Sequence, residues 1–158
     1  MKYEEMKNKN LRMAAYFCNK RPDIHQEPSY QLKAAEYQSM AEANGWRFVG
    51  LYMDEGEPGA GREKMLEACR NGDIDILITR ALRRIDSDLK VAIPIAHELR
   101  DLPKPVGVYF EMEELFSLDP ECDDHFETLL KFQEGAIVVN GMTIYKLPNS
   151  ELFPDITP

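Results

Sequence analysis

Short apolar runs alternate with longer amphipathic stretches along most of this chain. The apolar runs are rich in β-branched and aromatic residues, as strands are, and they cover positions 13–17, 47–53, 74–79 and 106–110. The stretches between them repeat apolar residues near the helical period and predict helices over 29–44, 62–70, about 89–99 and 123–132. This alternation predicts an α/β domain of three layers with a mostly parallel central sheet.

Individual residues refine this pattern. The run from Ile74 to Thr79 is apolar at almost every position, which is typical of a central strand covered on both faces. Pro94 falls inside the third helical stretch and predicts a kink or a later helix start. The repeating apolar residues of the first helical stretch are Leu32, Ala35, Met40 and Ala43.

The C-terminal part has a different pattern. The segment AIVVNGMTIYKL holds two β-rich runs around Asn140-Gly141, which predicts a β-hairpin. We therefore expect a flexible charged lead-in over 1–10, a main domain over 11–134, a hairpin extension over 135–147 and a loosely ordered tail over 148–158.

Charge narrows the function classes. The chain has 158 residues and a net charge of −9. This negative charge argues against a protein whose main role is to bind nucleic acid through a basic face. The charge is uneven, however, because Arg80, Arg83 and Arg84 cluster while acidic residues crowd 113–134. A local basic pocket is compatible with this distribution, whereas DNA binding by the chain alone is predicted to be weak or absent.

Three widely spaced cysteines predict reduced thiols in a cytoplasm rather than a disulfide framework. No apolar run approaches the roughly 20 residues that a membrane helix needs, so no membrane association is predicted. The N-terminus lacks the apolar core of a signal peptide.

The candidate chemistry lies where the predicted strands end, because ligands of parallel sheets bind beyond the carboxyl ends of the strands. The loop TRALRRIDSD carries three arginines that suit a phosphodiester, although an ordinary charged helix start is the alternative. The loop DEGEPGAGR offers Asp54, flexible glycines and Arg62, with a surface turn and helix cap as its alternative.

Other candidates are weaker. Cys122 and His125 have half of a zinc spacing, but no second pair stands at a suitable distance, so no metal site is predicted. His97 is interpreted as a surface residue, and His25 has no nucleophile paired with it. Cys18 is either a thiolate or, as the favoured alternative, a structural cysteine. No phosphate-binding or dinucleotide fingerprint is present, and no cofactor is predicted.

Four segments carry a resemblance to a known family, and they are RMAAYF, WRFVGLYMDEGEPGAGREKMLEA, GDIDILITRALRRI and GVYFEMEELFSLDP. In this order and spacing the chain resembles the N-terminal catalytic domain of serine site-specific recombinases, the resolvase/invertase family, over roughly 11–132. The resemblance implies a resolvase-like fold. It also implies a chemistry in which a serine attacks the DNA phosphodiester and arginines activate the phosphate.

Carried over by position, the resemblance gives an incomplete site. Lys20 stands in the place of the nucleophilic serine, and Cys18 in that of the first arginine. Ser87 stands where the second arginine of the third loop is expected. The nearest hydroxyl in sequence is Ser29, at the start of a predicted helix.

Other positions of the family pattern are kept or changed less. Asp54 and Arg62 match the family's residues in the loop after the second strand. Arg84 matches the family's core arginine in the loop after the third strand. Arg83 replaces the usual aspartate or serine, and Lys33 a glutamine of the first helix. The candidates for phosphate or anion binding are therefore Arg62, Arg84, Arg83 and Asp54.

The family's C-terminal pattern also changes here. Its long dimer helix would stop near Gly135, and no basic arm, helix-turn-helix or zinc ribbon follows.

Three hypotheses follow from these residues. The favoured one is an inactive resolvase-like interaction or regulatory module, encoded on a mobile element, with a recombinase or another protein as partner and a homodimer as an open alternative. The second is an active recombinase or nuclease that uses an altered nucleophile or one supplied by a partner. The third is an α/β protein that binds a small anion or nucleotide through Arg62, Arg84 and Asp54.

Overall fold

The computed structural model describes residues 1–20, 30–139 and 142–145, with the strand positions 136–139 and 142–145 described by their backbone alone. Four sequence-based interpretations lie outside these residues: those of His25 and Ser29, the Asn140-Gly141 turn and the tail 148–158. Among the described residues, no helix is both long and apolar enough to cross a membrane.

The main domain alternates strands and helices as the sequence predicts. Its elements are β1 (Arg12–Asn19), α1 (Tyr30–Ala43), β2 (Arg47–Glu55), α2 (Ala60–Arg70), β3 (Ile76–Thr79), α3 (Leu82–Ile85), α4 (Leu89–Arg100), β4 (Gly107–Phe110), β5 (Leu115–Phe116) and α5 (Cys122–Gln133). The sheet order is β2-β1-β3-β4-β5, in which β1 to β4 are parallel and β5 is antiparallel. The predicted α/β domain with a mostly parallel sheet is confirmed.

Strand alternation divides the core into two layers, one on each side of the sheet. Along β1, Ala14 and Tyr16 belong to a cluster with α2, α4 and α5, whereas Met13 and Phe17 belong to a cluster with α1. All four residues of β3 are buried, as expected of a central strand covered on both faces.

The first ten residues differ from the predicted flexible lead-in. Tyr3–Met6 is a 3₁₀ turn, and Met6 is only 6% exposed. The Trp46 indole donates a hydrogen bond to the Met6 carbonyl at 2.8 Å, and the Tyr3 ring stacks on Tyr109 at 3.8 Å. The apolar and aromatic residues of this segment therefore anchor it, although its composition is mostly polar.

Two helices also depart from the sequence prediction. The third predicted helix, α4, begins at Leu89 and continues through Pro94, so the later start is wrong. Helix α1 buries Tyr37 and Ala41, while Leu32, predicted on the apolar stripe, is 59% exposed. The apolar residues of α1 lie on both of its faces, and the stripe alone could not identify the packed one.

The C-terminal hairpin consists of β6 (Ala136–Val139) and β7 (Met142–Tyr145). The two strands are antiparallel, with Ile137 opposite Ile144. They form a sheet of their own, and in the described residues it is separate from the five-stranded sheet. The predicted hairpin is confirmed at the level of the backbone.

Candidate functional site

The sheet has a switch point beside β1. Because β1 lies between β2 and β3, the chain winds from it toward one sheet edge and later adds strands on the other side. In such sheets ligands bind beyond the carboxyl ends of the strands at this point. The register also places Cys18 beside Asp54, so the loops after β1, β2 and β3 meet at one end of the sheet.

Asp54 is engaged by protein donors. Its carboxylate accepts backbone N–H groups from Gly59 at 2.9 Å and from Gly61 and Arg62 at 2.8 Å. The Tyr16 hydroxyl donates a fourth hydrogen bond at 2.8 Å. Burial alone raises the pKa of Asp54, but these donors outweigh it and hold the pKa below its ordinary value. Asp54 therefore caps α2 and closes its own loop.

A close approach of backbone to backbone explains one glycine of this loop. A Cβ on Gly61 would lie 2.2 Å from the carbonyl oxygen of Met53. The start of α2 thus reaches β2 because residue 61 has no side chain. Gly61, predicted from the sequence to be one of several flexible loop glycines, is therefore required by the packing.

Arg62 links α2 to the end of α3. Its Nη1 donates to the carbonyl of Ile85 at 2.9 Å and to the Asp86 carboxylate at 3.0 Å. Its Nε is buried and has no hydrogen-bond acceptor in the described part of the chain. Arg62 is therefore largely committed to protein partners, and its Nε lies 3.7 Å from a Glu63 carboxylate oxygen.

Arg84 is buried and hydrogen-bonded within the protein. The residue is 2% exposed, and its Nη1 donates to the carbonyl oxygen of Cys18. Its guanidinium carbon lies 5.6 Å from the centre of the Phe17 ring. These contacts tie α3 to the end of β1, so the guanidinium faces the interior rather than open solvent.

The other two arginines of this loop are less buried than Arg84, and Arg83 is half-buried. Arg83 Nη1 donates to the Ser87 carbonyl at 2.9 Å, and Ser87 is exposed beyond the end of α3. Arg80 is exposed as well. The structure thus separates the predicted arginine cluster into one buried, one half-buried and one exposed side chain.

Cys18 has the environment of a structural thiol. It is fully buried, with its sulfur 3.9 Å from the Gly56 carbonyl oxygen. Burial raises the pKa of Cys18, although the charges of Lys20 and Arg84 pull it down. A protonated, inaccessible thiol is a poor nucleophile, so the favoured alternative fits better than the thiolate.

Two lysines also lie at this end of the sheet. Lys20 follows β1 directly, and its Nζ has less than 1 Å² of accessible surface and no hydrogen-bond partner in the described residues. Lys33 Nζ lies 4.6 Å from the centre of the Phe17 ring and 3.6 Å from a Glu36 oxygen.

Two acids of the loop after β4 also lie at this end of the sheet; the sequence places residues 111–115 at a strand end, but these acids were not among the predicted site residues. Glu113 accepts the N–H of Leu82 at 2.6 Å and so caps α3, while Glu111 accepts from the Tyr37 hydroxyl at 3.5 Å. Burial raises the pKa of both carboxyls. Their position directly after a buried strand was the available signal, but Glu113 also falls in the acidic stretch 113–134 and was not distinguished from its acidic neighbours.

The other candidates lie elsewhere. Cys122 is buried in the core, His125 is exposed, and His97 is 2.9 Å from an Asp123 oxygen between α4 and α5. Across the described ranges, no group of three or more His, Cys, Asp or Glu residues is arranged to hold a metal ion.

Comparison with known proteins identifies the fold. No model of a known protein family and no curated protein matches the sequence. A resolvase-family site-specific recombinase from Streptococcus pneumoniae has a similar structure, with a TM-score of 0.61, 13% identity, and coverage of 78% of this chain and 88% of that one. The N-terminal catalytic domain of TP901-1 integrase follows with a TM-score of 0.55, 16% identity, and 78% and 94% coverage.

A third similar structure is the C-terminal catalytic domain of ISC1926 TnpA, an IS607-like serine recombinase, with a TM-score of 0.53, 14% identity, and 63% and 69% coverage. Structural similarity is thus found with proteins whose sequences are only 13–16% identical to this one. The chain therefore has the α/β fold of serine recombinase catalytic domains.

Proposed function

We propose that this chain is a recombination-related module that does not cleave DNA and acts through contacts with another protein. The contact between Arg84 and the Cys18 carbonyl carries the proposal. Arg84 matches the core arginine in the resemblance, and here it is 2% exposed and bonded to the backbone at the end of β1. A guanidinium used in this way is poorly placed to stabilise charge on a phosphodiester in the crevice.

The hydroxyls at the described strand ends support the same proposal. Thr79 is buried, and its hydroxyl donates to the Tyr16 carbonyl at 3.0 Å. Ser87 lies on the exposed surface beyond α3, away from the buried face of Arg84. The position that the resemblance assigns to the nucleophile is Lys20.

The interaction role draws support from charge and from the C-terminus. A net charge of −9 opposes independent association with DNA. The separate hairpin β6–β7 follows α5, and an isolated two-stranded sheet is marginally stable without further packing. A recombinase of the same fold is the proposed partner, with a second copy of this chain as the alternative.

Incubation with supercoiled plasmid tests the loss of cleavage. We expect no nicked or linear product and no DNA-linked protein on a denaturing gel, while a serine recombinase with its own target plasmid gives both. DNA-linked protein that disappears in the Lys20→Ala variant would show cleavage by an altered nucleophile and overturn the proposal.

A further inference from the structure

We infer that two copies of this chain exchange the segment 2–7, so that Tyr3 and Met6 of each copy fill an aromatic cleft of the other. The cleft lies on the side of the sheet that α1 covers, and its rings are those of Trp46, Tyr109 and Phe116. The inference goes beyond the proposed function, because the partner is a second copy and neither DNA nor a recombinase takes part.

The segment sits in the cleft as a short ligand would. The Tyr3 ring stacks on the Tyr109 ring with centres 3.8 Å apart, and it meets the Trp46 ring edge-on at 5.9 Å. Met6 is 6% exposed, and its carbonyl accepts the Trp46 indole N–H at 2.8 Å. All these contacts are remote in sequence, so the same segment of a second copy can make them equally well.

Ion pairs at the mouth of the cleft fix the direction of the segment. Lys2 Nζ lies 3.1 Å from an Asp119 oxygen and 3.3 Å from a Glu121 oxygen. The cation thus comes from the segment and the two carboxylates from the main domain. Exposed pairs of this kind add little affinity, but they orient a segment that enters from either copy.

The hinge that follows the segment is short and strained. Asn8 and Asn10 have φ values of 62° and 53°, in the left-handed region that is unfavourable for residues other than glycine, although least so for asparagine. Their N–H groups donate to the carbonyls of Asn44 at 2.8 Å and Gly45 at 2.9 Å. The closed hinge is also tightly packed, because a Cβ on Gly45 would lie 2.7 Å from the Asn8 Cα.

Such a hinge favours exchange between copies. When the hinge extends toward a second copy, its two left-handed residues relax, while the contacts in the cleft are made again in the partner. The balance between closed monomer and exchanged dimer therefore depends on the strain of residues 8–10 and on protein concentration.

The exchanged dimer leaves the candidate site accessible. Residues 8–10 directly precede β1, so the hinge lies at the amino end of that strand. The loops that follow β1, β2 and β3 meet at the opposite end of the sheet.

Sedimentation velocity of the whole chain over a wide range of concentration tests the exchange. We expect a dimer that grows with concentration. Asn10→Gly removes strain from the closed hinge at an exposed position, so the association constant should fall about 5- to 30-fold, since each dimer contains two hinges. Asn10→Val adds strain and should raise it. Asn71→Gly, exposed and with φ of −77°, is the matched control and should change nothing.

A complementation experiment tests the cleft itself. Tyr3→Ala impairs the segment and keeps the cleft, whereas Tyr109→Ala impairs the cleft and keeps the segment. Mixed together, the two variants can form a heterodimer in which one segment and one cleft are both intact. The mixture should therefore associate about 10-fold more tightly than either variant alone, because it regains one ring stack that neither monomer has.

Three results would each overturn the inference. They are a chain that stays monomeric at every concentration, a dimer that responds to neither Asn10 variant, and a mixture that associates no more tightly than its components. None of these measurements contains DNA, so the exchange and the proposed function fail separately.

Discussion

Asp54 shows how one side chain can organise the strand-end region. Its two oxygens receive the N–H groups of Gly59 and of two residues in the first turn of α2, together with the Tyr16 hydroxyl from the neighbouring strand. A carboxylate that accepts several backbone donors is stabilised in its charged form. The residue fixes the position from which Arg62 extends, and its own role at the site is structural.

Replacing Asp54 with Asn should lower the free energy of unfolding by about 1–3 kcal/mol at pH 7, because an amide leaves buried N–H groups without acceptors. Urea unfolding measures the loss, and Asp73→Asn, at an exposed position, should change little. The folded-state pKa of Asp54 is lowered, so its contribution is present above the unfolded pKa of about 4. It should fade as pH falls through the folded pKa. A difference between the two proteins that grows on acidification would contradict this account.

At the scale of elements, hydrogen bonds join the start of α4 to the end of α5. The Gln133 side chain, at the end of α5, accepts the N–H of Leu89 at 2.7 Å and donates to Asp88 at 2.9 Å. Asp88 in turn accepts the N–H of Lys90 at 3.0 Å and caps α4. The start of α4 and the end of α5, from which the hairpin leaves, are therefore coupled through one amide.

Gln133→Ala should cost about 1–3 kcal/mol, since it leaves a helix-end N–H unsatisfied and removes a partner of the cap. Hydrogen exchange should accelerate at residues 89–91, and urea unfolding gives the free energy. Gln38→Ala is the matched control, because that amide donates to the Glu42 carboxylate on the exposed surface, and its effect should stay within about 0.5 kcal/mol. Equal effects of the two variants would refute the coupling.

At the scale of the whole molecule, the sequence predicted the architecture because the strands are distinctive. The run from Ile76 to Ile78 is apolar throughout, and the structure buries it in the middle of the sheet. The short strand β5 and the four-residue helix α3 were not predicted, since elements of that length carry no readable period. The anchored N-terminal turn depends on Trp46, far along the chain, and could not be seen locally.

The candidate site was less predictable, because its side chains find partners that are remote in sequence. Arg62 and Asp86 are 24 positions apart, and Arg84 bonds to a carbonyl 66 positions away. The sequence alone does not distinguish an arginine that activates a phosphate from one that joins two loops. Only the tertiary contacts show that Arg62 and Arg84 are used in the second way.

The most direct test of the central claim is a mixed cleavage measurement. An active serine recombinase, this chain and the recombinase's target plasmid are incubated together, and the proteins linked to DNA are separated by mass on a denaturing gel. The account predicts that DNA carries the recombinase alone, in a yield that changes as this chain is added. A DNA-linked species with the mass of this chain would contradict it, and an unchanged yield would contradict the proposed interaction.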